Sequence, residues 1–337
     1  MERSLNSEAI EVAIKQRLNS LTKPVGSLGK LEEIVIALGI AQQKIYPDIS
    51  QRKCLIFAGD HGVTAEGVSA YPSEVTRQML LNFAQGGAAV NVLTKSSGTI
   101  LEIVDVGVIG EAVPGVSSRR IRSGTYNFLK QPAMEISELE KAMEVGASFV
   151  DQNFSLFILG EMGIGNTAAS AAIAAAIIGC APSEVTGSGT GLDPINLKNK
   201  IAVIEQALLK YRDQPQSPQE ILARFAGFEI AAIVGFILES GKQNIPVLID
   251  GFIVTTAALV ALEINPAIKR SLIFAHRSSE YGHKKILEYL KVEPLLDLQM
   301  RLGEGSGALV ALPILDNALR LYHEMATFES AHISQNN

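Results

Sequence analysis

Five short stretches of the chain are almost wholly apolar: Cys54–Ala58, Ile100–Val104, Leu156–Leu159, Val247–Ile249 and Leu272–Ala275. Runs of this kind, apolar on both alternating faces, suit strands covered above and below by helices. The segments between them carry apolar residues at helical spacing, which predicts helices over Glu74–Phe83, Ser137–Phe149, Thr167–Ile178, Gln219–Leu238 and Val254–Glu263. Strands alternating with helices predict a mostly parallel, right-handed α/β sheet. The flanks read differently. Ile10, Val12, Ala13, Leu18 and Leu21 predict one helix, and Lys30–Gln43 a second, separated by the breaker Lys23-Pro-Val-Gly-Ser-Leu-Gly29. Beyond about residue 290, Leu309, Leu312, Leu315, Leu319 and Tyr322 form one helical stripe, with Pro313 near its start or at a kink. The expected division is a large sheet domain over 46–290 and a small helical domain built from 1–45 and 291–337.

In an open parallel sheet, ligands bind outside the carboxyl ends of the strands. The five runs end on that edge in Gly59-Asp60-His61-Gly62, Asp105-Val-Gly107, Gly160-Glu161-Met-Gly-Ile-Gly-Asn-Thr167, Asp250-Gly251 and His276-Arg-Ser-Ser-Glu-Tyr-Gly-His283. All five are expected to converge on one site.

Composition narrows the chemistry. The 337 residues allow a large core, and with Trp absent that core must be mostly Ala, Ile, Leu and Val. A formal net charge of −6 argues against a nucleic-acid surface, which needs a basic face. Cys54 and Cys180, the two cysteines, match no zinc or redox spacing and read as buried free thiols in a reducing compartment. The opening Met1–Ser7 starts no signal peptide, and the Ala171–Ala181 run is too short to span a bilayer. A soluble cytoplasmic protein is the expectation, with Ser330–Asn337 frayed.

Several motifs carry candidate chemistry. Gly163-Ile-Gly165-Asn-Thr-Ala168 follows a strand and opens a helix, so its backbone amides suit a phosphate. A dinucleotide site, and with it an NAD-dependent oxidoreductase, is the alternative, although the first strand should carry that fingerprint and no acidic partner follows convincingly. Thr186-Gly-Ser-Gly-Thr-Gly-Leu-Asp193 is a second glycine loop, and Lys200 beyond it is either a phosphate clamp or a surface lysine. Pro24–Lys30 is no P-loop, because Leu31 stands where Ser or Thr would hold magnesium. Asp60, His61, Asp105, Asp250 and His276 lack zinc-site spacing, and no G-x-S-x-G elbow supports a hydrolase. Gln78 lies inside the helix after Tyr71-Pro, facing either cleft or solvent. In Gly303-Glu304-Gly305-Ser306-Gly307 a carboxylate sits in a glycine turn ahead of the last helix, either as an incidental solvated side chain or as a base held in a pocket.

Taken together, Gly59-Asp-His-Gly62, Tyr71-Pro-x-x-Val-Thr-x-Gln78, Gly160–Thr167, Gly187-x-Gly-Thr-Gly191, His276–Glu280 and Gly303–Gly307 resemble nicotinate-nucleotide–dimethylbenzimidazole phosphoribosyltransferases, in the family's order from Lys23 to about Tyr322. The resemblance implies a Rossmann-like large domain with helices on both faces of the sheet, a homodimer, no cofactor and no metal. It implies transfer of ribose 5-phosphate from nicotinate mononucleotide to 5,6-dimethylbenzimidazole, giving α-ribazole 5′-phosphate and nicotinate, in assembly of the cobalamin nucleotide loop. It makes Glu304 the catalytic base. Tyr71, Gln78 and Met162 become contacts of the base, and Glu161, Gly163, Gly165, Lys200 and Ser278 contacts of the ribose phosphate. Adenine or a phenol in place of the benzimidazole is left open, as is a non-catalytic nucleotide-binding role.

Overall fold

A computed structural model describes residues 7–334 apart from Thr190 and Pro215. The opening Met1–Asn6, part of the expected loose C-terminus (335–337) and Thr190 of the second glycine loop lie outside it. Six strands form one all-parallel sheet in the order β3-β2-β1-β4-β5-β6. They are β1 (Arg52–Gly59), β2 (Ile100–Gly107), β3 (Ser117–Ser118), β4 (Leu156–Met162), β5 (Val247–Ile249) and β6 (Leu272–Phe274). This is the doubly wound order, and it reverses between β1 and β4. The five apolar runs are five of the strands. The sixth, β3, is two serines paired to Val104 and Asp105 at the sheet edge, and a polar edge strand leaves no apolar run to read.

Among the described residues twelve α-helices cover the two faces. From the chain's start come α1 (Ser7–Ser20), α2 (Lys30–Gln42), α3 (Glu74–Gln85), α4 (Ala89–Ser97), α5 (Ile136–Ala147) and α6 (Asn166–Ile178). The remainder are α7 (Pro194–Tyr211), α8 (Pro218–Phe225), α9 (Phe228–Lys242), α10 (Phe252–Ile264), α11 (Tyr281–Leu290) and α12 (Ser306–Glu324). The alternation of side chains along each strand divides the core. Leu55, Phe57, Phe157 and Leu159 pack beneath α5, α6 and α8 to α11. Cys54, Ile56, Leu156 and Ile158 pack against α1 to α4 and α12. The chain ends thus supply much of one layer over the sheet. They are tied together: Thr22 N donates to Ala326 O at 3.0 Å, Phe328 N to Ser20 O at 2.9 Å, and the Arg17 guanidinium to Tyr322 O and His323 O.

Two expectations are corrected. The helix read over Gln219–Leu238 is two helices, α8 and α9, broken at Ala226 and Gly227. A Cβ on Gly227 would lie 2.1 Å from Glu229 Oε2 and 2.4 Å from His61 Cε1, so the break makes room for a buried His61–Glu229 pair at 2.6 Å. Cys54 is buried, but Cys180 is only half-buried. Pro313 lies inside α12, and the whole predicted stripe from Leu309 to Tyr322 is buried. Among the described residues no helix is long and apolar enough to cross a membrane.

Where the turn before α12 crosses β4, backbone meets backbone. A Cβ on Gly160 of β4 would stand 2.4 Å from Gly305 N and 2.6 Å from Glu304 C. Gly160→Ala is therefore expected to destabilise the fold by about 1–3 kcal/mol through overpacking, read as a lower denaturant midpoint at unchanged slope.

Candidate active site

Glu304 stands on the turn that this glycine contact seats over β4. Residues 303, 304 and 305 all have left-handed backbone, at φ +84°, +60° and +68°. A glutamate pays strain there that glycine does not, and such strain is found where a site over-determines the backbone. The flanking glycines also have steric reasons. A Cβ on Gly303 would meet Glu161 Oε1 at 2.5 Å, and one on Gly307 the His276 ring at 2.0 Å. Asp250, at the end of β5, accepts from Ala308 N at 2.9 Å and so pins the first turn of α12.

The turn closes one wall of a cavity of about 280 Å³. The end of β4 supplies Glu161, Met162, Gly163, Asn166 and Thr167; the end of β5 supplies Asp250 through Val254; the segment after β6 supplies His276, Ser278 and Glu280. Tyr71 and Gly189 also line it, with Arg301 to Glu304 completing the wall. Three of the five strand ends converge, not five. Asp60 is buried, accepting from Ile109 N, and His61 is consumed by Glu229. Asp105 is paired with Arg120 and accepts from Gly107 N and Val108 N. Those strand ends hold the fold rather than the cavity.

The cavity is acidic. Burial pushes the Glu304 carboxyl above its ordinary range, the Asp250 charge adds to this, and the Val90 amide at the start of α4 opposes it. Among the described residues its Oε2 has no hydrogen-bond partner. Glu161 is pushed well up by burial and by the charges of Glu229, Asp250 and Glu304, and it accepts from the Asn166 side chain. A buried carboxylate with one unpartnered oxygen, beside a second whose charged form burial opposes, is an arrangement for moving a proton.

A phosphoribosyltransferase family model matches residues 4–333. The nicotinate-nucleotide–dimethylbenzimidazole phosphoribosyltransferase of Pseudomonas fluorescens is 45% identical over 98% of this chain and 96% of its own length. The chain belongs to that phosphoribosyltransferase family. The Azotobacter vinelandii enzyme of the same name is 46% identical, again over 98% of this chain and 96% of its own. The crystal structure of the Thermus thermophilus phosphoribosyltransferase superposes with a TM-score of 0.91 at 40% identity, covering 98% of this chain and all of that one.

On this family frame the residues named from sequence sort themselves. Glu304, Glu161, Tyr71, Met162, Gly163 and Ser278 line the cavity. Gly165 lies just behind it as the N-cap of α6, at φ +99°. Gly163 and Gly165 both have packing reasons to be glycine, since a Cβ would meet Gly59 O at 2.4 Å or Thr64 Cγ2 at 2.9 Å. Lys200 is no surface lysine. It is 1% exposed and donates to Thr167 Oγ1 at 2.8 Å and Gly187 O at 3.2 Å. Burial lowers its pKa to about 8, against the pull of Glu280. Gln78 is exposed on α3 and does not line the cavity, although Thr76 of the same helix accepts from Ile164 N at 3.1 Å.

Sequence reasoning did not assign Asn166, Thr167, Glu280 or Arg301, and weighed Asp250 and His276 only as metal ligands. Their signal was position alone, at strand ends or beside the glycine turn. His283, named only as the end of a polar run, holds the Ser278 backbone. Ser278 N donates to its Nδ1 at 2.8 Å, so Nε2 carries the proton and faces Thr255 Oγ1 at 2.9 Å. Burial lowers its pKa from 6.5 to about 3. Between those values the unfolded chain binds a proton that the folded chain refuses. Stability is therefore expected to fall as pH drops from 6.5 toward 3, by about 1.4 kcal/mol per unit from this group. Denaturation midpoints across that range check this, and His283→Gln should remove that share of the slope.

Proposed function

We propose that this family member moves ribose 5-phosphate from nicotinate mononucleotide to 5,6-dimethylbenzimidazole, yielding α-ribazole 5′-phosphate and nicotinate for cobalamin assembly, with Glu304 as general base. The observation that carries the reading is the unpartnered, buried Glu304 Oε2 on the wall of a strand-end cavity. A benzimidazole ring nitrogen attacks the anomeric carbon. The bond to the nicotinate nitrogen breaks, its electron pair leaving with nicotinate. Attack comes from the opposite face, so the configuration inverts from β to α. The other ring N–H becomes acidic as the base gains positive charge, and its proton passes to Glu304. The Asp250 carboxylate on the same wall favours the positive charge that develops on the ribose.

Met162 and Tyr71 belong to the base side of the cavity, with Gln78 an outer contact from α3. Glu161 takes the ribose hydroxyls. Gly163, Gly165, Lys200 and Ser278 form the phosphate side, where a dianion would hold Lys200 protonated. The reading calls on no cofactor. The division into a sheet unit (46–290) and a chain-end unit (1–45 with 291–337) is part of the proposal, the second unit delivering Glu304. So are a cytoplasmic location and a homodimer, which light scattering should read as twice the mass of the chain.

Glu304→Gln should lower kcat by about 10²–10⁴ in a folded variant, measured as nicotinate released with dimethylbenzimidazole present; unchanged turnover would sink the mechanism. Because Glu304 must be ionised and its pKa is raised, activity should fall on the acid side at a pH above the ordinary carboxylate range, and this limb should vanish in the Gln variant.

A further inference from the structure

The cavity wall poses a charge problem. Among the described residues it carries four carboxylates, Glu161, Asp250, Glu280 and Glu304, and a single Lys or Arg, Arg301. A phosphorylated, carboxylated nucleotide has to enter this field. Arg301 Nη1 donates to Gly189 O at 3.0 Å. Two residues back along the same loop, Gly187 O accepts from Lys200 Nζ, and Lys200 Nζ lies 3.3 Å from where a Cβ on Gly189 would stand. Both cations are thus held on carbonyls of one glycine loop, beside Thr167 in the first turn of α6. A guanidinium has five N–H donors. Arg301 uses one on Gly189 and has no carboxylate at ion-pair distance among the described residues.

We propose that Arg301 is a second clamp for the donor's 5′-phosphate, paired with Lys200 across the Gly187–Gly191 loop, and that binding the phosphate there positions Glu304. The inference rests on the proposed function and deepens it. The mechanical link is short. Met300 O accepts from Ser279 N at 2.9 Å, which anchors the segment on one side, and Asp250 anchors it on the other through Ala308 N. Between these anchors Arg301 and Glu304 share one strap, and its three consecutive left-handed residues leave little slack. A phosphate that draws the guanidinium inward fixes the turn carrying the base.

The test uses Arg301→Gln and Arg301→Lys in the full chain. By calorimetry, ribose 5-phosphate should bind about 10- to 100-fold more weakly to the Gln variant, with partial rescue by Lys. In turnover, the Gln variant should lose efficiency with nicotinate mononucleotide in both KM, from the lost phosphate contact, and kcat, from the unpositioned Glu304. It should differ little from the unsubstituted enzyme with the phosphate-free nicotinate riboside. Unchanged ribose 5-phosphate binding overturns the assignment. So do equal losses with both donors, which mean a merely structural role, or weakened binding of free nicotinate alone, which moves Arg301 to the leaving group's carboxylate. Nicotinate release by the unsubstituted enzyme tests the proposed function separately: without it that reading fails, while Arg301-dependent ribose 5-phosphate binding still supports the clamp.

Discussion

The site depends on two glycines that let main chain touch main chain. Gly160 lies in β4 and Gly305 in the turn before α12; a Cβ on Gly160 would strike the backbone of Gly305 and Glu304, while Gly305 is glycine for its left-handed φ of +68°. Remove that contact and the turn rises from the sheet, taking Glu304 with it. The neighbouring constraints follow. Gly303 clears Glu161, Gly307 clears the His276 ring, and Asp250 takes the amide of Ala308. Each is a short-range fit that exists only because the first one is met. The left-handed Glu304 is the residual strain of seating a carboxylate there.

Electrostatics then sets what the seated carboxylate can do. Several acidic groups gathered in one buried place cannot all ionise at ordinary cost, so burial and mutual repulsion drive Glu161 toward its neutral form. Glu304 is shifted in the same direction, but the Val90 amide at a helix start works against it. The two carboxyls differ by environment alone: Glu161 is the more strongly pushed up and accepts from Asn166, while Glu304 keeps a vacant Oε2. The cations Lys200 and Arg301 are held on carbonyls of the glycine loop, where both feel the charge of Glu280.

Much of this was legible in the residues because of how a doubly covered sheet is built. β1, β2, β4, β5 and β6 are buried on both faces, so their sequences are near-continuous apolar runs, and α12 shows its stripe because it buries one side only. What was hidden depends on contacts distant in sequence. β3 is two serines that pair with β2. The break at Gly227 answers to His61, 166 positions earlier by residue number. Lys200 reads equally as a phosphate clamp or a surface lysine until α6 and the glycine loop close over it. The strand ends at Asp60-His61 and Asp105 look like those at Asp250 and His276, and only the packing shows that His61 is taken by Glu229 and Asp105 by Arg120. Gln78, legible as part of a motif, lies on the exposed side of α3.

The clasp of the chain ends has a consequence for how the molecule is made. α1 and α2 are translated first and α12 last, yet they cover one face of the sheet together. Synthesis can complete the opposite layer, α5 to α11, long before this one. Until Tyr322 has left the ribosome, the side of the sheet bearing Ile56 and Ile158 has only part of its cover. The element that carries the base is therefore also the last panel of the core, and a nascent chain acquires its chemistry at the moment it hides its final apolar surface.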